Sequence, residues 1–389
     1  VAKPKTMPSV IDLFCGIGGL THGLRLAGLN VIAGIDVDSS CKYAYEHNNA
    51  NAQFISVDVA ALHPEKVAAL YPENALRVLV GCAPCQPFSK YTKRYRKGEQ
   101  KGGRENDEWQ RDNKWKLLYS FSNIVRHVLP DIVSMENVPE LADEQVFADF
   151  HNALVQLGYS VSYGVVFCPE YGVPQNRRRL VLLASRLGEL KLVEPLYNES
   201  NYPTVRGCIG GLPRIAAGAK YQGDVMHSAA RLSSINLRRI RSSVPGGTWR
   251  DWNDNLKLKC HKKSSGKTYP SIYGRMCWDS PSPTITTQFY GYGNGRFGHP
   301  EQDRALTLRE GALLQSFPPD YEFVDPDQGF NRRQVGVHIG NAVPVELGRA
   351  IGKSVLNHIE ETCGNVENNT GAKRRSKAAT GKSARKRPI

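Results

Sequence analysis

The chain has 389 residues, 40% of them hydrophobic and 23% charged, which is long enough for two or three domains and a full core without disulfide or metal staples. No apolar run reaches the roughly 18 residues of a membrane span, and the charged–apolar–small order of a signal peptide does not occur, so a membrane protein is excluded and secretion is disfavoured. Nine scattered cysteines do not read as a disulfide framework and point to a reducing, cytoplasmic compartment.

The net charge is +14, part of it concentrated in a C-terminal run: Lys373, Arg374, Arg375, Lys377, Lys382, Arg385, Lys386 and Arg387 occur there without an acid. Residues 363–389 are therefore expected to be a basic, disordered tail, and residues 1–8 a short arm. Such charge makes nucleic acid a candidate partner without deciding the matter.

From residue 9 to 185 short apolar runs alternate with amphipathic ones. The runs at 10–14, 31–35, 54–57, 76–80, 132–135, 161–167 and 180–184 predict buried strands. The segments at 19–27, 39–47, 64–70, 115–128 and 144–157 predict helices. Alternation at this spacing implies an α/β fold, with a mostly parallel sheet covered on both faces and ligands at the carboxyl ends of the strands. From about 186 the alternation stops in favour of Gly, Pro, Ser, Arg and aromatic residues, as in VPGGTWRDW and YGYGNGRFGHP. This stretch predicts a loop-rich module. Helical pattern returns at 306–315 and 345–359, and the apolar last segment is expected to rejoin the first domain.

Chemistry-bearing residues follow the strands. After the first comes Asp12-Leu-Phe14-Cys-Gly16-Ile-Gly18-Gly19, a turn in which a ligand can approach the backbone. The second strand ends at Asp36, spaced to take ribose hydroxyls, and the third at Asp58, placed for an adenine amino group. Singly each aspartate reads as a helix cap; together they favour an adenosine pocket. The fourth leads to Gly81-Cys82-Ala-Pro84-Cys85-Gln86-Pro-Phe-Ser89. Prolines bracket Cys85, which suits a lone nucleophilic thiol better than a zinc or redox CxxC, since no second ligand pair stands at zinc spacing. No metal site is expected. The fifth ends at Glu136-Asn-Val, a carboxyl able to share a cleft with Cys85 or to cap the next helix. In Gln175-Asn-Arg177-Arg-Arg179, alternation sends Arg177 and Arg179 to one face. The charged segment 90–116 reads either as a solvated loop or as a lid over DNA phosphates, the lid being favoured.

DLFCGIGG, PCQPFS, ENV, QNRRR, the segment from Arg304 to Glu310 with Leu314-Gln315-Ser-Phe-Pro, and Gly340-Asn341-Ala-Val343-Pro together resemble the DNA cytosine-5 methyltransferases, in that family's order. The resemblance implies a Rossmann-like methyltransferase domain (9–185, completed by 331–362) and a smaller target-recognition domain (186–330). It implies that Cys85 attacks C6 of a flipped-out cytosine in duplex DNA, so that C5 takes a methyl group from S-adenosylmethionine. Glu136 would contact the base at N3 and its amino group, Arg177 would hold the carbonyl, and Arg179 would steady Glu136 and the cysteine loop. The cofactor would lie against Phe14, Gly16, Gly18, Gly19, Asp36, Val37, Asp58, Pro84, Leu117, Asn341 and Val343. Val37 stands where many members have a tryptophan that stacks on adenine. Gln86, Ser89, Lys90 and Arg94, with Arg239 and Arg250 in the recognition stretch, would meet DNA. A restriction–modification role is expected, with an endonuclease of the same specificity as partner and a monomeric enzyme. The alternatives are the tRNA-methylating branch, whose Cys-Phe-Thr element is not found, and an idle DNA-binding module, against which Cys85, Glu136 and Arg177 speak.

Overall fold

The computed structural model describes residues 6–84, 113–264, 266 and 270–379. In the first half of the chain lie the strands Thr6–Leu13 (β1), Asn30–Asp36 (β2), Gln53–Ser56 (β3), Ala75–Gly81 (β4), Ile132–Asn137 (β5) and Ser160–Phe167 (β6), then the two-residue Gln175–Asn176 (β7) and Arg178–Ser185 (β8). Among the described residues a seven-stranded sheet runs in the order β3-β2-β1-β4-β5-β8-β6. β1 to β5 pair in parallel, and β8 lies antiparallel between β5 and β6. The cause of that reversal is local. A parallel pairing needs a crossover of about a dozen residues or more, whereas only a short link separates β6 from β8.

The helices Gly19–Leu26 (α1), Lys42–Asn48 (α2), Pro64–Leu70 (α3), Leu117–Val128 (α4) and Gln145–Gln156 (α5) supply the crossovers. Strand side chains alternate between the faces, as the pleat requires. Ile11, Leu79, Val133 and Met135 meet Val67 of α3, Phe121 and Val125 of α4, and Phe150 of α5. Val10, Val31, Val78 and Val80 meet Leu20 and Leu24 of α1 on the other face. β5 is buried throughout, as an interior strand must be. β6 departs from the expected buried strand: it is the sheet edge, and Tyr163 and Val165 are exposed.

Beyond the sheet come Val205–Ile209 (α6), Ser234–Arg241 (α7), Ser282–Pro283 (β9), Leu308–Leu314 (α8), Arg332–Asn341 (α9) and Val345–Ala379 (α10). Thr307 starts α8 with a capping box, and its partner Glu310 also meets the fully buried Arg304 through bonds of 2.7 and 2.8 Å. Most apolar residues of the 186–330 stretch do not form a core of their own. Val205, Ile209, Met276, Ile285, Leu306 and Leu314 belong to the cluster that reaches the sheet at Val10 and Val78. Small separate groups gather at Ile240, Tyr292 and Ala305, and at Trp249, Trp252 and Leu256.

α10 lies across α1 with backbone touching backbone. A Cβ on Gly23 would stand 2.3 Å from the Val345 carbonyl oxygen and 2.6 Å from the Arg349 nitrogen, so only glycine fits. α10 runs on to Ala379, past residue 363, where the basic tail is expected to begin. A docked first half removes the cost of nucleation, and Ala, Lys and Arg at 372–375 propagate a helix well.

Candidate active site

β1 ends in a turn built from unusual backbone: Phe14, Gly16 and Gly18 have φ of 60°, 50° and 85°. The end of β2 holds this turn. Asp36 accepts the Gly16 N–H at 2.9 Å on one carboxylate oxygen and the Asp38 N–H at 2.9 Å on the other. Burial raises the Asp36 carboxyl above its usual range. Asp58 accepts the Ala60 N–H at 2.9 Å and so caps the short turn Val59–Ala61, while also facing the cleft. One cleft of about 410 Å³ connects these strand ends.

Of the residues expected around the cofactor, Phe14, Gly16, Asp36, Val37, Asp58, Pro84, Leu117, Asn341 and Val343 all line this cleft. Gly18 and Gly19 do not. Gly18 is the N-cap of α1, and a Cβ on Gly19 would stand 2.3 Å from the Val343 carbonyl oxygen, so these two shape the turn and admit the C-terminal segment. A Cβ at Gly16 would meet nothing within 4 Å, which leaves its backbone open to a ligand. The cleft thus pairs carboxylates at two strand ends with apolar Phe14, Val37 and Leu117. That donor set fits an adenosine-bearing group, with a carboxylate for its hydroxyls and apolar surface for its ring.

The same cleft continues to Glu136, Arg177 and Arg179. Glu136 is only 2% exposed at the end of β5, with an ion pair at one carboxylate oxygen and a hydrogen bond at the other. Arg179 Nε stands 2.8 Å from Oε1, and the Cys82 thiol donates to Oε2 at 2.8 Å. Arg177, also buried, donates from Nη1 to Gln175 Oε1 and to the Ile285 carbonyl, both at 3.2 Å. Arg178, between them, is exposed with its guanidinium over the Phe167 ring. The neighbour of Glu136, Asn137, donates to the Ala83 carbonyl at 2.9 Å and ties the turn after β4 to β5. Pro84, the last described residue of that turn, reaches the cleft. Cys85, Gln86, Ser89, Lys90 and Arg94, with the lid expected from residue 90, lie outside the described residues up to 112.

Several contributors escaped sequence reasoning. Sequence alone gives Cys82 no role beyond half of a CxxC, yet it holds Glu136. His338 Nε2 stands 3.0 Å from Asp38 Oδ2 and joins α9 to the turn after β2 at the rim of the cleft. Asp12, 1% exposed, accepts the Thr21 hydroxyl at 2.7 Å, and burial pushes its carboxyl up to about 7. The order of motifs flags Asp12; nothing in the sequence pairs Asp38 with His338.

Arg239, expected at the DNA, is buried. Its side chain is 8% exposed and points inward, donating from Nε to the Leu256 carbonyl at 2.9 Å and from Nη1 to Asn236 Oδ1 at 2.8 Å. Its guanidinium also lies over the rings of Trp252 and Tyr273. It staples the small aromatic group, where Trp249 and His261 stack at 4.2 Å. Arg250 is exposed, with its guanidinium over the Trp249 ring.

The profile of the family described as C-5 cytosine-specific DNA methylase matches residues 8–357. The Type II methylase M.HgiDII of Herpetosiphon aurantiacus is 54% identical over 355 residues, 90% of this chain and 96% of that protein. The Type II methyltransferase M.PspPI of a Psychrobacter species is 31% identical over 366 residues, 91% and 80% of the two chains. Among solved structures, a prophage-encoded DNA modification methyltransferase of E. coli superposes with a TM-score of 0.66 at 20% identity, covering 91% of this chain and 99% of that one, a likeness of fold.

Proposed function

This chain belongs to the C-5 cytosine-specific DNA methylases, and from that premise we propose how its own residues bring about the reaction. The enzyme methylates C5 of cytosine in DNA, and S-adenosylmethionine, when bound, supplies the methyl group. One observation carries the assignment of residues: a single cleft is lined both by the turn and carboxylates at the ends of β1, β2 and β3 and by Glu136, Arg177 and Arg179, with Pro84, the neighbour of Cys85, between them.

Asp36 binds the ribose hydroxyls of the donor, Asp58 its adenine amino group, and Phe14, Leu117 and Val343 its apolar surface. Cys85 is the nucleophile. Its thiolate adds to C6 of a cytosine turned out of the duplex, forming an S–C6 bond and passing the ring electrons toward C5. Glu136 contacts N3 and the amino group, and the Arg179 and Cys82 contacts fix its orientation. Arg177 holds the base carbonyl, where negative charge grows. Once C5 carries the methyl group, its proton leaves, the S–C6 bond breaks and Cys85 is restored.

The DNA-contacting surface comprises Gln86, Ser89, Lys90 and Arg94 beside the nucleophile and Arg250 in the 186–330 stretch, which acts as target-recognition module. The Type II names of the relatives support a partnership with an endonuclease that cuts the same sequence. The enzyme acts as a monomer in the cytoplasm.

Radiolabelled methyl transfer to duplex DNA and to tRNA, followed by mapping of modified cytosines, tests substrate and target together. Trapping on a 5-fluorocytosine duplex, where loss of the C5 substituent is blocked, should give an adduct through Cys85, and Cys85→Ser should abolish it while cofactor binding survives. An adduct mapped to Cys82 would overturn the assignment.

A further inference from the structure

Two fully buried glutamines, Gln175 and Gln315, do not themselves line the cleft but bond to residues that do, Arg177 and Ala342. Gln175, in β7, donates from Nε2 to Gln315 Oε1 at 3.0 Å and to the Leu314 carbonyl at 3.2 Å. Its Oε1 accepts the Ile285 N–H at 2.8 Å and the Arg177 guanidinium at 3.2 Å. Both donors and both acceptor sites of this amide are therefore used, and a flip would set its NH₂ against two other donors. Gln315, just after α8, donates from Nε2 to the Ile339 carbonyl at 2.7 Å and to the Ala342 carbonyl at 3.4 Å. Those two carbonyls flank Gly340 and Asn341, which line the cofactor side.

A second contact runs beside this chain of amides. The segment after β9 gives Arg177 its other acceptor at Ile285, and its next residues press on α9: a Cβ at Gly340 would stand 2.5 Å from backbone atoms of Thr286 and Thr287. Arg177, the 186–330 stretch and the Gly340–Val343 strip are thus joined through one buried junction of paired amides. In such surroundings a shift of any one member leaves a buried polar group unpaired, so the members move together or not at all.

We infer that Gln175 and Gln315 are positioning residues that couple engagement of the base by Arg177 to closure of the strip formed by Gly340, Asn341 and Val343 on the cofactor. This rests on the roles proposed above for Arg177 and Val343. Base binding draws on Arg177, the pull passes through the paired amides to Ile339 and Ala342, and the cofactor side tightens. By reciprocity, bound cofactor strengthens DNA binding by the same factor.

The experiment uses the full chain, S-adenosylhomocysteine as unreactive cofactor probe, and a duplex carrying the target sequence mapped as above. Dissociation constants are measured for the cofactor probe with and without duplex, and for duplex with and without the probe. The parent should show a coupling factor of about fivefold or more, the lower range for two communicating sites. Gln315→Met, similar in shape but unable to bond, and Gln315→Asn, too short to span both partners, should each bring that factor close to one. A merely structural role would lower the unfolding temperature and leave the factor intact. The inference is overturned if the parent shows no coupling, if a folded variant keeps the parent's factor, or if neither variant folds, since the pair would then be a folding element. A parent that methylates no DNA at all would instead sink the proposed function, and that is known before any variant is made.

Discussion

Asp12 offers the sharpest test of how burial sets charge in this molecule. Its carboxyl stands at about 7 against an ordinary 3.8, chiefly through burial, with the Thr21 hydroxyl opposing and the nearby Asp36 carboxylate adding to the rise. Between those two values the folded chain keeps a proton that the unfolded chain has released, so stability falls as pH rises through that window and levels off above about 7. The full displacement corresponds to roughly 4 kcal/mol between the protonation states, and the part lying between about pH 5 and about pH 8 to roughly 2–3 kcal/mol. Asp12→Asn removes the ionisation and keeps an oxygen for Thr21. It also places an NH₂ where Oδ1 has no hydrogen-bond partner, a penalty of about 1–3 kcal/mol that does not vary with pH. Urea unfolding at the two pH values should find the variant less stable than the parent at about pH 5 and closing or reversing the gap at about pH 8. Parallel profiles for the two proteins would refute the reasoning, because they would mean that Asp12 titrates alike in the folded and unfolded chains.

Asp36→Ala should weaken S-adenosylhomocysteine binding by about 1.5–3 kcal/mol, the range for a bond to a charged group, and free the Gly16 amide as well; unchanged affinity by calorimetry would leave Asp36 as a fastener of the turn. Arg239→Ala should destabilise the fold by about 3 kcal/mol through lost buried bonds and ring contacts, without altering the sequence methylated by whatever enzyme remains folded. Thermal unfolding and mapping of modified cytosines check the two halves of that statement, and a stable enzyme with a changed target would return Arg239 to the DNA. Gly23→Ala must push α10 away from α1, at about 1–3 kcal/mol for overpacking, and should lower the unfolding temperature measurably.

The sheet was legible because its interior strands are buried on both faces and stand out as apolar runs between amphipathic ones. β4 and β5 show this best. What the runs do not encode is pairing. β8 has the composition of any interior strand, and only the shortness of its link to β6 turns it round and inserts it beside β5. β6 has the apolar character of a buried strand too, yet the insertion leaves it at the edge with Tyr163 in water. α9 went unread because its sequence, RRQVGVHIGN, mixes glycines with charges and holds its place by contacts with Thr286, Thr287 and Gln315.

The site was legible where a side chain's partner lies close by in sequence or at a neighbouring strand end, as Asp36 does for Gly16 and Glu136 for Arg179. It was illegible where the partner arrives from far along the chain, as His338 does for Asp38 and Ile285 for Arg177. Arginines make the difference plain. Arg179 and Arg239 both sit in runs of basic residues, Arg177-Arg178-Arg179 and Arg238-Arg239, and either run can be read as an anion-binding stripe. Alternation along β8 correctly separates Arg178 from its neighbours, because a strand has two faces and one of them is the cleft. On α7 the helical spacing gives no such answer. Arg238 is exposed and Arg239 buried, and the choice is made by the Leu256 carbonyl and the Trp252 and Tyr273 rings, which only the folded loop brings into reach. A guanidinium that finds a carbonyl, an amide oxygen and two aromatic faces has its donors and its charge accommodated already, and has little to gain from a phosphate.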